Sequence, residues 1–232
     1  MKLRRLAPFA LLGGIALLWG ACGGTAAAPA APPATATAAP TQAAATASGR
    51  PGPDLLQSQG NPQAKVTLTV FEDFQCPICL RFTNEVEPTL LKEYVATGKV
   101  RYQFRQLPFL GKESGLAALG ARCAAKQERF WQFHDRLFKT ETDAGQLSTE
   151  RIDVGRFRDA ALRTIAGDLG LDLGKFDACY AANDTVTEVA VDIRYADSLG
   201  LPGTPSFLLN DLPISTPRTI DDWRKLLDAA LK

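Results

Sequence analysis

Cys76 and Cys79 stand two residues apart in Cys76-Pro77-Ile78-Cys79. The motif follows the apolar run Val66-Thr67-Leu68-Thr69-Val70-Phe71 and opens a helix-like stretch. Two thiols at this spacing on the first turn of a helix can close a disulfide on each other. The first sulfur faces backbone N–H groups that have no partner inside the helix, at the positive end of the helix dipole, and both favour its thiolate. Strand, CxxC, helix is the context in which the motif reads as redox chemistry. The expected reaction is thiol–disulfide exchange, with Cys76 as the attacked and attacking sulfur and Cys79 as the resolving thiol. Pro77 and Ile78 form the interior of the motif, and Ile78 can neither donate a side-chain hydrogen bond nor carry charge.

Other chemistries have little to work with. His134 is the sole histidine, which leaves a Cys–His protease or a multi-His metal site short of ligands. Its helical neighbours Phe130, Trp131 and Phe138 point to a packing or capping role. No glycine-rich phosphate loop or serine nucleophile elbow stands out. The formal charge is +1, and without the three cations of residues 1–21 it is near −2. That balance offers no electrostatic reason for a nucleic-acid partner.

The cysteine count is five, an odd number for an exported chain. If Cys22 is modified, Cys76 and Cys79 form the motif and Cys123 and Cys179 remain as a pair. Both of these lie in helix-like stretches, and a bridge between two helices would contribute roughly 4 kcal/mol in the chain-entropy model. The alternatives are two separate buried thiols, or a four-cysteine zinc site. The zinc reading is weakened because Cys123 and Cys179 lack the short-range clustering of structural zinc ligands.

Residues 1–21 carry Lys2, Arg4 and Arg5, then a short apolar stretch, then small residues, as an export signal does. The apolar stretch is shorter than the roughly 20 residues that span a bilayer. Leu18-Trp19-Gly20-Ala21-Cys22 resembles the lipobox of bacterial lipoproteins, with Trp19 where Leu is usual. The expected localisation is therefore extracytoplasmic, anchored to the cell membrane by a lipid on Cys22, with secretion or an uncleaved anchor as alternatives. Residues 22–52 are almost wholly Gly, Ala, Pro and Thr and read as a disordered tether. Residues 53–232 are long enough for one substantial core.

The elements that must position the cysteines follow from periodicity. Lys65–Phe71 reads as a strand. Leu80–Thr97 is helical in pattern, with a kink or break expected at Glu87-Pro88. Lys99–Leu107 alternates as a second strand. Helices are expected over Glu113–Lys126, Arg129–Lys139, Arg151–Leu169, Lys175–Ala181 and Val186–Leu199. Ser206–Leu209 and Leu212–Ile214 make a hairpin, and Thr219–Leu231 an amphipathic closing helix.

This order, βαβ, a helical block at about residues 111–199, then ββα, resembles an α/β thioredoxin fold with an inserted all-helical subdomain, the architecture of the DsbA-like thiol:disulfide oxidoreductases. Three segments carry the resemblance: Phe71-Glu72-Asp73-Phe74-Gln75-Cys76-Pro77-Ile78-Cys79, Phe130-Trp131-Gln132-Phe133-His134-Asp135-Arg136-Leu137-Phe138, and Gly203-Thr204-Pro205-Ser206-Phe207. The resemblance implies a cis Pro205, with Thr204 offering main-chain groups to an extended substrate. It implies no cofactor beyond the Cys76–Cys79 pair. The implied substrates are unfolded or reduced exported proteins, and a quinone-linked membrane thiol oxidase would recharge the pair.

Two departures from the family bear on strength. The strongest oxidants carry His where Ile78 stands, so a couple about 30–60 mV less oxidising is expected. The buried acid that thioredoxin-fold enzymes often place six residues before the first cysteine is replaced by Val70. Glu72 or Asp73 would then relay protons, unless both are solvated loop acids. Competing functions are a disulfide reductase or isomerase, and a peptide-binding chaperone without redox turnover. Phe109, Trp131 and Phe133 are core residues or line a peptide groove near Cys76.

Overall fold

The computed structural model describes residues 57–232. The expected signal segment, the tether, Cys22 and the start of the 53–232 domain lie outside the described residues. A short strand β1 (Ser58–Gln59) precedes β2 (Val66–Glu72), α1 (Pro77–Glu85), α2 (Glu87–Leu90), a π-helical turn over Leu91–Val95 and β3 (Val100–Gln106). Five helices follow: α3 (Lys112–Ala125), α4 (Phe130–Asp143), α5 (Asp159–Asp168), α6 (Leu173–Tyr180) and α7 (Asn183–Ser198). The chain closes with β4 (Ser206–Leu209), β5 (Leu212–Ile214) and α8 (Ile220–Ala230). Among the described residues the strands form one sheet in the order β1-β3-β2-β4-β5, with β2 and β3 parallel and the other pairs antiparallel. This is the thioredoxin-like βαβ and ββα arrangement, with the helices α3–α7 inserted between its halves.

β2 is the central strand and is buried on both faces. Successive side chains alternate between the faces. Leu68, Val70 and Glu72 therefore point one way, into the main core with Tyr102 and Phe104 of the paired β3. Phe71 points the other way, against Tyr195 of α7 at 5.9 Å between ring centroids. On the first face α4 buries Phe130, Phe133, His134, Leu137 and Phe138, an i, i+3, i+4, i+7, i+8 stripe. The insertion is thus packed directly on the strand that delivers the cysteines.

One expectation needs correction. The helical pattern over Arg151–Leu169 is helix only from Asp159. Asp153 and Gly155 take positive φ values of 56° and 92°, and the carboxylate of Glu113 accepts from the N–H of Gly155 and of Phe157 at 2.5 and 2.7 Å. Tertiary hydrogen bonds thus override the helical periodicity there. The break expected at Glu87-Pro88 is present and falls at Val86, which caps α1, because Pro88 has no N–H to continue the ladder. β1, too short to leave a periodic signal, joins the sheet by pairing with β3.

Cys123 on α3 and Cys179 on α6 are bridged, with Cα atoms 5.7 Å apart, across a sequence separation of 56. Sulfurs joined to each other are not available as thiolate metal ligands, so the four-cysteine zinc alternative falls. Replacing both with Ala should cost about 4 kcal/mol, the loop-closure entropy regained by the unfolded chain. Urea unfolding of the double variant checks this, and a loss below about 1 kcal/mol would refute a stabilising role for the bridge.

Candidate active site

The turn from β2 into α1 is held by Asp73. One carboxylate oxygen accepts from the Gln75 N–H at 2.8 Å and the Ser114 hydroxyl at 2.6 Å. The other accepts from the N–H groups of Phe109 and Leu110 at 2.8 and 2.9 Å. Gln75 is tied in turn: its side-chain amide donates to the Leu110 carbonyl and to Ser114, and its side-chain oxygen accepts from the Asp153 N–H. Asp153 also receives the N–H groups of Lys112 and Glu113 at the start of α3. A Cβ at Gly111 would collide with that carboxylate, and Gly111 itself has φ 97°. The segment before Cys76 is therefore immobilised from several directions.

Cys76 occupies the N-cap of α1 with Pro77 just inside the helix. Both motif cysteines are thiols here and both are buried. The Cys76 thiol donates to the Thr204 carbonyl at 3.5 Å, and the Thr204–Pro205 peptide bond is cis. Hydrogen bonding from the Cys79 thiol is the main force that lowers Cys76. Burial opposes it, and the Thr204 side chain and the backbone N–H groups of Cys79 and Ile78 assist, bringing Cys76 down to about 6. Burial pushes Cys79 well above the ordinary thiol range, and the negative charges of Glu72 and Cys76 push it the same way. One sulfur is a ready thiolate and leaving group, whereas its partner holds its proton.

Behind the dithiol lies a buried polar cluster. Burial raises the Glu72 carboxyl to about 7, against the pull of His134, with Glu87 adding to the rise. His134 Nε2 lies 3.8 Å from Glu72 Oε2, too far for a direct hydrogen bond, and neither Glu72 oxygen makes one. Burial disfavours charge on His134, but Asp135, Glu72 and Glu87 outweigh it and raise the imidazole to about 10. Glu87 is itself raised by burial.

The sequence-predicted residues thus divide. Cys76, Cys79, Pro77, Thr204 and Pro205 come together, with Ile78 on the rim, 51% exposed. Glu72 and Asp73 are not solvated loop acids: both are buried. Asp73 is saturated with donors and serves as an anchor, whereas Glu72 is left without a hydrogen bond. Phe109 is 54% exposed beside Gly203 of the cis-proline loop, whereas Phe133 is core. His134 packs among aromatics as its helical neighbours imply, but it also faces Glu72, which its own helix does not reveal. The strand period holds the clue to that contact. Glu72 lies two residues beyond Val70 and so on the same face, one pleat nearer the cysteines.

The thioredoxin family model matches residues 56–229. A probable disulfide bond formation protein D of Bacillus cereus is 30% identical over 179 residues, 76% of this chain and 79% of the relative. The chain belongs to the DsbA-like protein-disulfide oxidoreductases. Oxidised BdbD from Bacillus subtilis superimposes with a TM-score of 0.66 at 25% identity, covering 75% of this chain and 92% of that one. alpha-DsbA1 of Wolbachia pipientis, at 21% identity and TM-score 0.63 over 75% of this chain and 90% of its own, shares the fold.

For a DsbA-like enzyme the Cys76 value has a direct consequence. Its folded value, about 6, lies below the ordinary thiol value of 9.0. The thiolate therefore stabilises the reduced fold fully above pH 9 and progressively less as pH falls, vanishing below about 6. At pH 7 the contribution is about 1.4 kcal/mol, one pKa unit of differential ionisation. Thiolate absorbance at 240 nm should titrate with a midpoint near 6 in wild type and vanish in Cys76→Ser. A midpoint above about 8 would contradict the seating described.

Proposed function

We propose that this oxidoreductase runs as an exported thiol oxidase that introduces disulfides into other exported proteins, held at the membrane by a lipid on Cys22. The observation that carries the direction is the stabilised Cys76 thiolate. A favoured thiolate favours the dithiol state, and a pair that prefers to be reduced oxidises its clients. In the forward reaction a client thiolate attacks Cys76 of the Cys76–Cys79 disulfide, and Cys79 departs. A second client thiolate attacks the client sulfur of the mixed disulfide and releases Cys76 as its thiolate. Glu72 takes the role of proton donor to Cys79. The Thr204 carbonyl beside Cys76 is a main-chain acceptor for an extended client, and Ile78 and Phe109 supply an apolar rim. Recharging is assigned to a quinone-linked membrane thiol oxidase.

Ile78 tempers the strength, since its side chain adds no donor to the thiolate. The couple is expected at roughly −180 to −150 mV, between the strongest oxidants and the reductases. Equilibration with glutathione buffers measures it, and a value near −270 mV, that of thioredoxin, would assign the protein to the reductases. With a suitable potential, the oxidised protein should convert reduced ribonuclease to its disulfide form. Cys76→Ser should abolish this, and Cys79→Ser should trap a client mixed disulfide at Cys76.

For the anchor, labelled palmitate should appear on wild type expressed in bacteria and be absent from Cys22→Ser. An unlabelled wild type would make the protein secreted or signal-anchored.

A further inference from the structure

The proton that Cys79 exchanges meets a closed active-site face. Cys79 is 0% exposed. It needs a proton at the moment the mixed disulfide forms, when a client already covers Cys76. On the far side, His134 joins two carboxyl groups through opposite ring nitrogens. Nε2 faces Glu72 at 3.8 Å, and Nδ1 is 2.9 Å from Asp135 Oδ1. The imidazole is buried, ringed by Phe74, Phe104, Phe130, Trp131 and Phe138 with centroids 4.9–5.9 Å away. The Asp135 side chain is 74% exposed. Asp135 and Glu87 both line an open surface cleft of about 370 Å³ between α1–α2 and α4.

We propose that His134 and Asp135 form a proton path between solvent and Glu72, so that the proton of Cys79 enters and leaves through the helical insertion. This rests on the exchange reading of Cys76 and Cys79 given above. When a client thiolate attacks Cys76, the client–Cys76 S–S bond forms and the Cys76–Cys79 bond breaks, leaving its electron pair on Cys79. The Cys79 thiolate takes the proton of the Glu72 carboxyl. The Glu72 carboxylate takes one from His134 Nε2, leaving a neutral imidazole with its proton on Nδ1. A turn of the ring then exchanges the two nitrogens, and the bare one takes a proton from the Asp135 side, so one solvent proton is consumed. In recharging, Cys79 returns its proton by the same steps reversed. It then attacks the mixed disulfide that Cys76 forms with a disulfide oxidant. A shift of about 1 Å, or one water, closes the gap between Glu72 and His134. An imidazole suits this role because either ring nitrogen can hold or release a proton.

The ionisable groups facing the path are Glu72 from β2, Cys76 and Cys79 from α1, Glu87 from α2, Tyr102 from β3 and Asp135 from α4. With Glu72 near 7 and His134 near 10, a charged imidazolium stands beside a carboxyl that gains and loses its proton around neutrality. His134 and Asp135 touch neither client nor sulfur and are positioning residues for proton transfer.

The test uses the full chain in a Cys22→Ser background with glutathione placed on Cys76 and verified by mass spectrometry. Release of glutathione by Cys79 is followed by stopped flow from roughly pH 5 to 9, beside the rate at which free Cys76 is alkylated. His134→Gln should slow release at least about tenfold, and Asp135→Asn at least about threefold with a displaced pH midpoint, while Cys76 alkylation stays unchanged. Release within about twofold of wild type in Asp135→Asn, or an equal loss of alkylation and release, overturns the path. Asp135 is on the surface, so this variant decides the matter even if His134→Gln does not fold. A wild-type protein that never releases glutathione overturns the exchange reading itself, and the path with it.

Discussion

The Cys76 thiolate is stabilised only while its donors, the Cys79 thiol first and then the N–H groups of Cys79 and Ile78, stay aimed at it. That requirement falls on the few residues that join β2 to α1. Asp73 meets it by accepting from three backbone N–H groups and one hydroxyl. Three of these donors belong to the segment that follows β3 or to α3, so the active-site turn is tied to the insertion as well as to its own strand. Gln75 doubles the tie through Leu110, Ser114 and Asp153. The sulfur's chemistry is therefore a property of two parts of the fold held against each other.

The buried charge behind the dithiol follows a different logic. A carboxyl, an imidazole and a second carboxyl in an apolar cage are costly to desolvate, and no dense network of hydrogen bonds compensates them. Asp73, the next residue along the chain, shows what a structural acid looks like here: both of its oxygens are occupied. Glu72 is its opposite, adjacent in sequence, buried, and without a hydrogen bond. The contrast separates a carboxylate that holds the fold from one free to change its protonation.

Much of the fold and of the site is legible in the amino-acid order. The CxxC at a strand-to-helix junction, the amphipathic stripe of α4 and the Thr204-Pro205 segment each combine a residue type with a spacing, and spacing along one element survives folding. For Cys123 and Cys179 the sequence left a bridge as one of several readings, and the structure decided for it. Where periodicity misleads, the cause lies far along the chain. Residues 151–158 carry helical periodicity but are captured by Glu113 and Gln75, partners some forty and eighty positions away. Tertiary hydrogen bonds override a local preference that is weak per residue.

The sequence by itself determined where the paired motif sulfurs sit and the class of fold that carries them, because strand and helix periods and the motif's placement are local facts. Only the tertiary structure decided what Glu72, Asp73 and His134 do. An acid's role depends on what surrounds it, and these surroundings are assembled from β2, α2, β3, α3 and α4, elements far apart in the chain. Burial and hydrogen-bond partners are properties of that assembly, and two neighbouring carboxylates came out as a fully bonded anchor and a buried carboxyl without a hydrogen bond.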